Sequence, residues 1–325
     1  MKFWLKAAIS VALLAVLIWK SNLNALVGVM AETDLRIYIA AFLLFLFQQF
    51  VVAYCWQLLL RAQENRVPFF RTLEVHFVGS FFGTFLPSSI TMDIVRAYRL
   101  SRHLRRGVDA ASSMFVTRVV GFWVNFVLAS IVAVPIGQAT HNPHLAWTLV
   151  AITLGFVAAI WMALNRWSMQ LLRRILQRLK LAKIADKLQH TRDAILQFSF
   201  AKQAIFKLLA FSLFFQIVGI VVIFLVGRAV NINLGIGHYF IYIPLITALA
   251  VLPISVLGIG IREGAFVFFF AQAGVPQAQA LSLSLLLFLQ SLLMALIGGV
   301  WYMFDKAKIR TEVVHVNREM VSQAE

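Results

Sequence analysis

Uncharged apolar runs of about twenty residues recur along this 325-residue chain. At about 1.5 Å of rise per residue, one such run wound as a helix matches the roughly 30 Å hydrocarbon core of a bilayer. Lipid offers no partner to a bare backbone N–H or C=O, so runs buried there close their hydrogen bonds within themselves, as helices. A soluble fold is excluded by the amount of apolar side chain. The chain is 61% hydrophobic and 13% charged, against about 45–50% and about 25% for a soluble domain. Its length allows about seven to nine embedded helices and leaves no room for a soluble domain of ordinary size. The expected fold is therefore all-α, a polytopic membrane helix bundle over residues 1–304 with a cytoplasmic tail over 305–325.

Charge orients the runs. The chain carries 29 Lys and Arg against 13 Asp and Glu, a net charge of +16. In a soluble protein such a balance points to nucleic acid. Between apolar runs it points to cytoplasmic loops facing anionic lipid, and no nucleic-acid partner is expected. Residues 3–19, opened by Lys2 and Lys6, read as an uncleaved first helix, because no small-x-small site follows them. A loop carrying Lys20, Glu32, Asp34 and Arg36 comes next. Further helices are predicted over about 37–60, 110–134, 145–164, 208–226 and 280–304. The uncharged stretch 135–146 reads as an external loop, and 231–237 as an external turn. Residues 166–207 carry ten Lys and Arg. Leu172, Ile175, Leu176 and Leu179 fall among them at helical spacing, which suits an amphipathic helix on the cytoplasmic leaflet or a soluble helical linker. Lys306, Lys308 and Arg310 put the C-terminus on the cytoplasmic side, with the N-terminus.

Two apolar stretches are cut by proline. The first reads Leu86-Pro87-Ser88-Ser89-Ile90 and, four residues on, Val95-Arg96. The second reads Leu252-Pro253-Ile254-Ser255-Val256 and, four residues on, Ile261-Arg262. Proline lacks an N–H and disfavours helix at the residue before it. Freed backbone groups must then sit in protein or line a wet cavity, where Ser88, Ser89 and Ser255 can supply hydrogen bonds. Arg-rich flanks on both sides make the first stretch a re-entrant hairpin from the cytoplasm. The direction of the last helix makes the second a hairpin from outside. Two such hairpins are the signature of two inverted repeats, here about 37–164 and 208–304. Plain proline kinks in two full-span helices are the competing reading.

Charges within these stretches are costly in lipid and so mark candidate sites. They are Glu74, His76, Asp93, Arg96, Arg118, Arg262 and Glu263. Asp93 and Arg96 share a helix face at i,i+3, and Arg99 continues it. Guanidinium groups beside a helix break suit phosphate, which arginine grips bidentately. Arg262 and Glu263 are adjacent, about 100° apart on a helix, and make a less evident pair. Asn125, Gln216 and Gln290 are expected to hydrogen-bond between helices. The single cysteine, Cys55, allows neither an internal disulfide nor a cysteine metal site. His141 and His144 have no carboxylate nearby, so no metal or other cofactor is expected. G-x-x-x-x-G-K-[ST], G-x-S-x-G and H-E-x-x-H are all absent, and the aspartates are too scattered to hold a Mg²⁺-diphosphate. The reading is a transporter with no catalytic set.

The stretch from Phe85 to Arg102, with Asp93-x-x-Arg96-Ala97-Tyr98, resembles a signature of the lysylphosphatidylglycerol synthase transmembrane-region family. The stretch from Leu252 to Phe266, with Arg262-Glu263-Gly264, resembles its second signature. The resemblance runs from about residue 5 to 304. It implies a flippase-like protein of the bacterial inner membrane that handles lipids. Bifunctional members carry a soluble synthase domain. Here the chain ends at Glu325, so the aminoacyl-transfer activity is not expected. Thr91-Met92 replaces the family's usual glycines, and Thr117-Arg118 its usual Asp-Arg. The expected function is movement of a phospholipid or polyprenyl-phosphate glycolipid. Arg96 and Arg262 would meet the phosphate, Asp93 and Glu263 would act as counter-ions or proton carriers, and Arg99 and Arg118 would assist. The alternative is a non-catalytic subunit that presents lipid to a separately encoded transferase.

Overall fold

The structure is a computed structural model describing residues 10, 12–13, 15–17, 19, 21, 23–62, 65–85, 91–101, 107–139, 143–165, 174, 202–251 and 258–322. Pro87, Ser88, Ser89, Pro253, Ser255 and His141 lie outside the described residues, as does most of the basic segment 166–207. Among the described residues every regular element is a helix: α1 (Leu23–Ala31), α2 (Leu35–Ala62), α3 (Phe69–Phe85), α4 (Thr91–Ser101), α5 (Gly107–Ala139), α6 (Pro143–Leu164), α7 (Lys202–Ala229), α8 (Ile236–Val251), α9 (Ile261–Gln272) and α10 (Gln277–Ser322). Leu35–Leu58, Leu209–Ala229 and Gln277–Phe304 are long and apolar enough to cross a membrane.

The bundle wears its polarity reversed. On α2, Leu35, Ile39, Leu43, Phe47, Phe50 and Tyr54 form an exposed stripe at helical spacing, while Gln48, Gln49 and Gln57 are buried. On α10, Ser282, Ser284 and Gln290 are buried, while Leu289, Leu296, Val300 and Met303 are exposed. A helix in lipid gains nothing by hiding leucine and must hide glutamine. Buried amides then tie helix to helix. Gln48 Nε2 donates to the Phe215 carbonyl at 2.8 Å, and the Tyr38 hydroxyl donates to that of Leu286 at 3.1 Å.

Helix ends follow local rules. The Asp34 Oδ1 caps α2 by accepting the N–H groups of Arg36 and Ile37. Gly274, at φ 77°, closes α9, and the Val275 N–H reaches back to the Phe270 carbonyl at 3.1 Å. Asn231, at φ 59°, does the same for α7.

The helices pair in a repeated pattern. α2 and α7 have 28 residues each and pack together. α3 and α8 have 17 and 16 residues, and α4 and α9 have 11 and 12. α3 packs on α10 as α8 packs on α5, and α4 packs on α5 as α9 packs on α10. Close crossings use glycine. Gly79 and Gly83 let α4 lie on α3, where added Cβ atoms would meet Arg96 and Met92. Gly298 faces the Phe77 carbonyl, and Gly299 faces the Phe81 ring.

Three boundaries depart from the sequence expectations. The segment after residue 19, expected as a loop, contains α1, which packs against α10. α5 does not stop before Pro135 but continues to Ala139. One missing N–H is tolerated where the rest of the helix is held by its neighbours. The loop expected over 135–146 shrinks accordingly, and α6 opens on Pro143, a favoured first-turn residue. α10 does not end at 304 but runs on to Ser322.

Gly298→Leu should lower stability by about 1–3 kcal/mol or more by forcing α3 and α10 apart. Gly28→Ala, with nothing within 4 Å of the added carbon, should not. Thermal unfolding of both variants in detergent checks this.

Candidate functional site

Three of the four predicted arginines meet in one cavity. It has a volume of about 620 Å³, and Arg96 of α4, Arg118 of α5 and Arg262 of α9 all line it. Gln48 of α2, His76 of α3, Gln216 of α7, Thr247 of α8 and Gln290 of α10 complete a wall drawn from both halves of the chain. Among the described residues no Asp or Glu lines it. Its size suits a lipid headgroup or small ligand.

Arg96 reaches its place because Gly79 leaves room. The side chain crosses α3 there and is 8% exposed. Its Nη2 donates to the His76 carbonyl at 3.2 Å and to the Ser80 hydroxyl at 3.1 Å. Ser80 in turn donates to the His76 carbonyl at 2.9 Å, and His76 Nε2 sits 3.0 Å from Gln49 Oε1. These two acceptors are neutral, and they hold Nη2 of the guanidinium at the cavity wall.

Arg262 is held differently. Its Nη2 and Nε donate to Glu263 Oε1 at 2.6 and 3.1 Å. The adjacency argument from sequence underrated this pair. Glu263 stands in the first turn of α9, where its Oε2 accepts the Gly260 N–H at 2.6 Å. Folding back to cap the helix brings the carboxylate beside its neighbour. Gly260 has φ 85°, and the N-terminal segment lies against it at Ser10 and Leu13. Ser284 of α10 approaches Glu263 Oε1 at 3.5 Å. Glu263 is 2% exposed, so this cluster fixes the start of α9 and aims Arg262 at the cavity, over the Phe288 ring.

Arg118 is exposed and lines the cavity beside Thr117. Arg99 does not reach it. Arg99 Nη2 lies 3.5 Å from Glu74 Oε1 and stacks over Tyr302 of α10, and Glu74 also pairs with Arg71 at 2.5 Å. Arg99 thus belongs to a cluster that joins α3, α4 and α10. Asp93 falls within α4, and its side chain lies outside the described residues, as do Ser88, Ser89 and Ser255. Gln216 bonds between helices as expected, donating to the Gly121 carbonyl at 2.8 Å. Gln290 departs from that expectation, since neither end of its amide is bonded among the described residues. No cluster of three metal-binding side chains occurs among those residues.

Sequence reasoning named the cationic part of the wall, took Asn125, Gln216 and Gln290 for ties between helices, and passed over Gln48. The signal for Gln48 was present in an amide pair, Gln48-Gln49, set within an apolar run. Glu263→Gln should cost about 1–3 kcal/mol, because the half-buried Arg262 loses its carboxylate and the Gly260 N–H its charged acceptor. Adding Arg262→Gln should recover part of the loss. A double-mutant cycle on thermal unfolding checks the coupling.

Compared with known families, residues 3–299 match the model described as the lysylphosphatidylglycerol synthase TM region. No curated protein and no solved structure matches the chain.

Proposed function

Because this chain belongs to the lysylphosphatidylglycerol synthase transmembrane-region family, a membrane-domain family linked to lipid handling, we propose that it moves a phosphate-bearing lipid across the bacterial inner membrane. One observation carries the reading: three arginines from three helices enter a single cavity whose described lining has no carboxylate. Such a cavity attracts an anion. Guanidinium groups meet phosphate oxygens two at a time, and the apolar remainder of the wall suits the start of an acyl or prenyl chain. Glu263 acts as counter-ion to Arg262 and keeps that arginine in place. The protein has no catalytic role in this reading.

Helix lengths support a passage made of two hairpins. At 11 and 12 residues, α4 and α9 extend about 16–18 Å and cannot span a core of about 30 Å. Each follows α3 or α8 in sequence after a proline-bearing stretch and packs back on it. The matched lengths and reciprocal packing support two repeats of opposite orientation, α2 to α5 and α7 to α10. The first hairpin would open to the cytoplasm and the second outward, with both termini cytoplasmic. The arginines at the two breaks then meet one headgroup from opposite sides, as broken helices do in many transporters.

Proteoliposomes carrying fluorescent phospholipid test the proposal. Arg96→Ala combined with Arg262→Ala should cut lipid movement by about tenfold or more, a loss of about 1.4 kcal/mol or more. Arg228→Ala, whose guanidinium binds Asn233 away from the cavity, should move lipid like the unaltered chain. Arginine-dependent lipid binding without movement would describe a subunit that presents lipid to a transferase.

A further inference from the structure

A second cavity lies apart from the arginines, on the apolar face that α2 turns outward. It is a groove of about 500 Å³. Phe50, Tyr54 and Arg61 of α2 stand along its floor at helical spacing. Phe69 of α3 and Phe211 of α7 form its sides, and both helices pack on α2. The Tyr54 ring lies between those sides, 6.4 Å from the Phe69 ring and 5.2 Å from the Phe211 ring. Tyr54 is 39% exposed, so the groove opens toward lipid. Its lining shares no residue with that of the central cavity. One end of the groove is basic. Arg61 lines it from the last turn of α2. Gln57 Nε2 donates to the Val67 carbonyl at 2.8 Å and so holds the connection that carries Arg66 against the same end. Lys207 stands one turn before Phe211, on the same face of α7. All three cations are exposed, and among the described residues no Asp or Glu lines the groove.

We infer that this groove holds a resident anionic phospholipid, with one acyl chain along the aromatic floor and the headgroup at the basic end. The floor runs about 16 Å from Phe50 to Arg61. That is close to the hydrocarbon depth of one leaflet, about 15 Å. A chain lying in the groove therefore brings its own phosphate to the level of the cations. Net charge selects the headgroup. Phosphatidylcholine also carries a phosphate, but it adds an ammonium to a cluster of three cations. A lipid with net negative charge adds none and gains the full attraction of basic residues at the membrane surface. The groove lies where α2, from the first half of the chain, packs on α7, from the second. A lipid seated there covers the seam between the halves without entering the central cavity.

Native mass spectrometry of the full chain in neutral detergent tests this, with dioleoyl phosphatidylglycerol and dioleoyl phosphatidylcholine as probes. Phosphatidylglycerol should bind about tenfold tighter than phosphatidylcholine. The preference should persist when Arg96→Ala and Arg262→Ala are combined, since neither arginine lines the groove. Arg61→Gln with Lys207→Gln should erase it. Val51→Trp, which fills the groove and leaves every charge in place, should weaken phosphatidylglycerol binding about tenfold. Equal binding of the two lipids by the unaltered chain overturns the inference. A preference that survives Val51→Trp also overturns it, because the basic surface at large then suffices. A preference lost only when Arg96 and Arg262 are replaced belongs to the central cavity; it overturns the groove and leaves the proposed function standing. A dimer that Val51→Trp separates makes the groove a contact between two copies and overturns the lipid assignment.

Discussion

Hydrocarbon cannot solvate a dipole, and the arrangement of this protein follows from that constraint. Glutamines and serines turn inward, and a stripe of leucines and phenylalanines on α2 faces outward, where a water-soluble bundle would carry polar side chains. Because apolar burial does not drive helices together in lipid, contact comes from close fit and polar ties. Gly298 against the Phe77 carbonyl is one such fit. Gln48 against the Phe215 carbonyl is one such tie. The arginines of the cavity obey the same rule. Arg96 is wrapped by α3, and Arg262 is clamped by a carboxylate that also caps its own helix.

That double use of Glu263 links fold and site. Its carboxylate answers the buried Gly260 N–H at the start of α9 and the charge of Arg262 together. A helix N-terminus favours negative charge, so the carboxylate is stabilised where it stands. The cap lies at a break in the chain, which places a fixed cation beside the end of a short helix. Arg96, on α4, donates instead to the His76 carbonyl and the Ser80 hydroxyl of α3. The cavity therefore has two cationic walls of unlike construction. One is held from the start of its own helix and the other from the helix it crosses.

Much of this was legible in the sequence. The long runs of α2, α7 and α10 announce themselves by composition. Arg96, Arg118 and Arg262 stand out because lipid tolerates so few charges. What escaped depends on three-dimensional company. Pro135 reads in sequence as the end of a helix, yet α5 passes through it. The segment of α1 has no charge pattern to declare it, and its place depends on contact with α10. The pairing of Arg262 with its neighbour needed a helix start at Gly260, which spacing alone does not convey. Gln290 reads as one more helix-to-helix tie until its surroundings are known.

Cys55 can form no internal disulfide, yet its place in the fold gives it a use. It is the chain's single cysteine, it is 4% exposed, and it lines the cavity. The protein thus carries one native sulfur at the place whose accessibility matters most. Any thiol reagent that reacts has entered that space, because there is no second thiol to confuse the signal. Membrane-impermeant reagents added to one face of a sealed vesicle, then to the other, would report the face with which the cavity communicates. The unaltered chain is its own probe of sidedness.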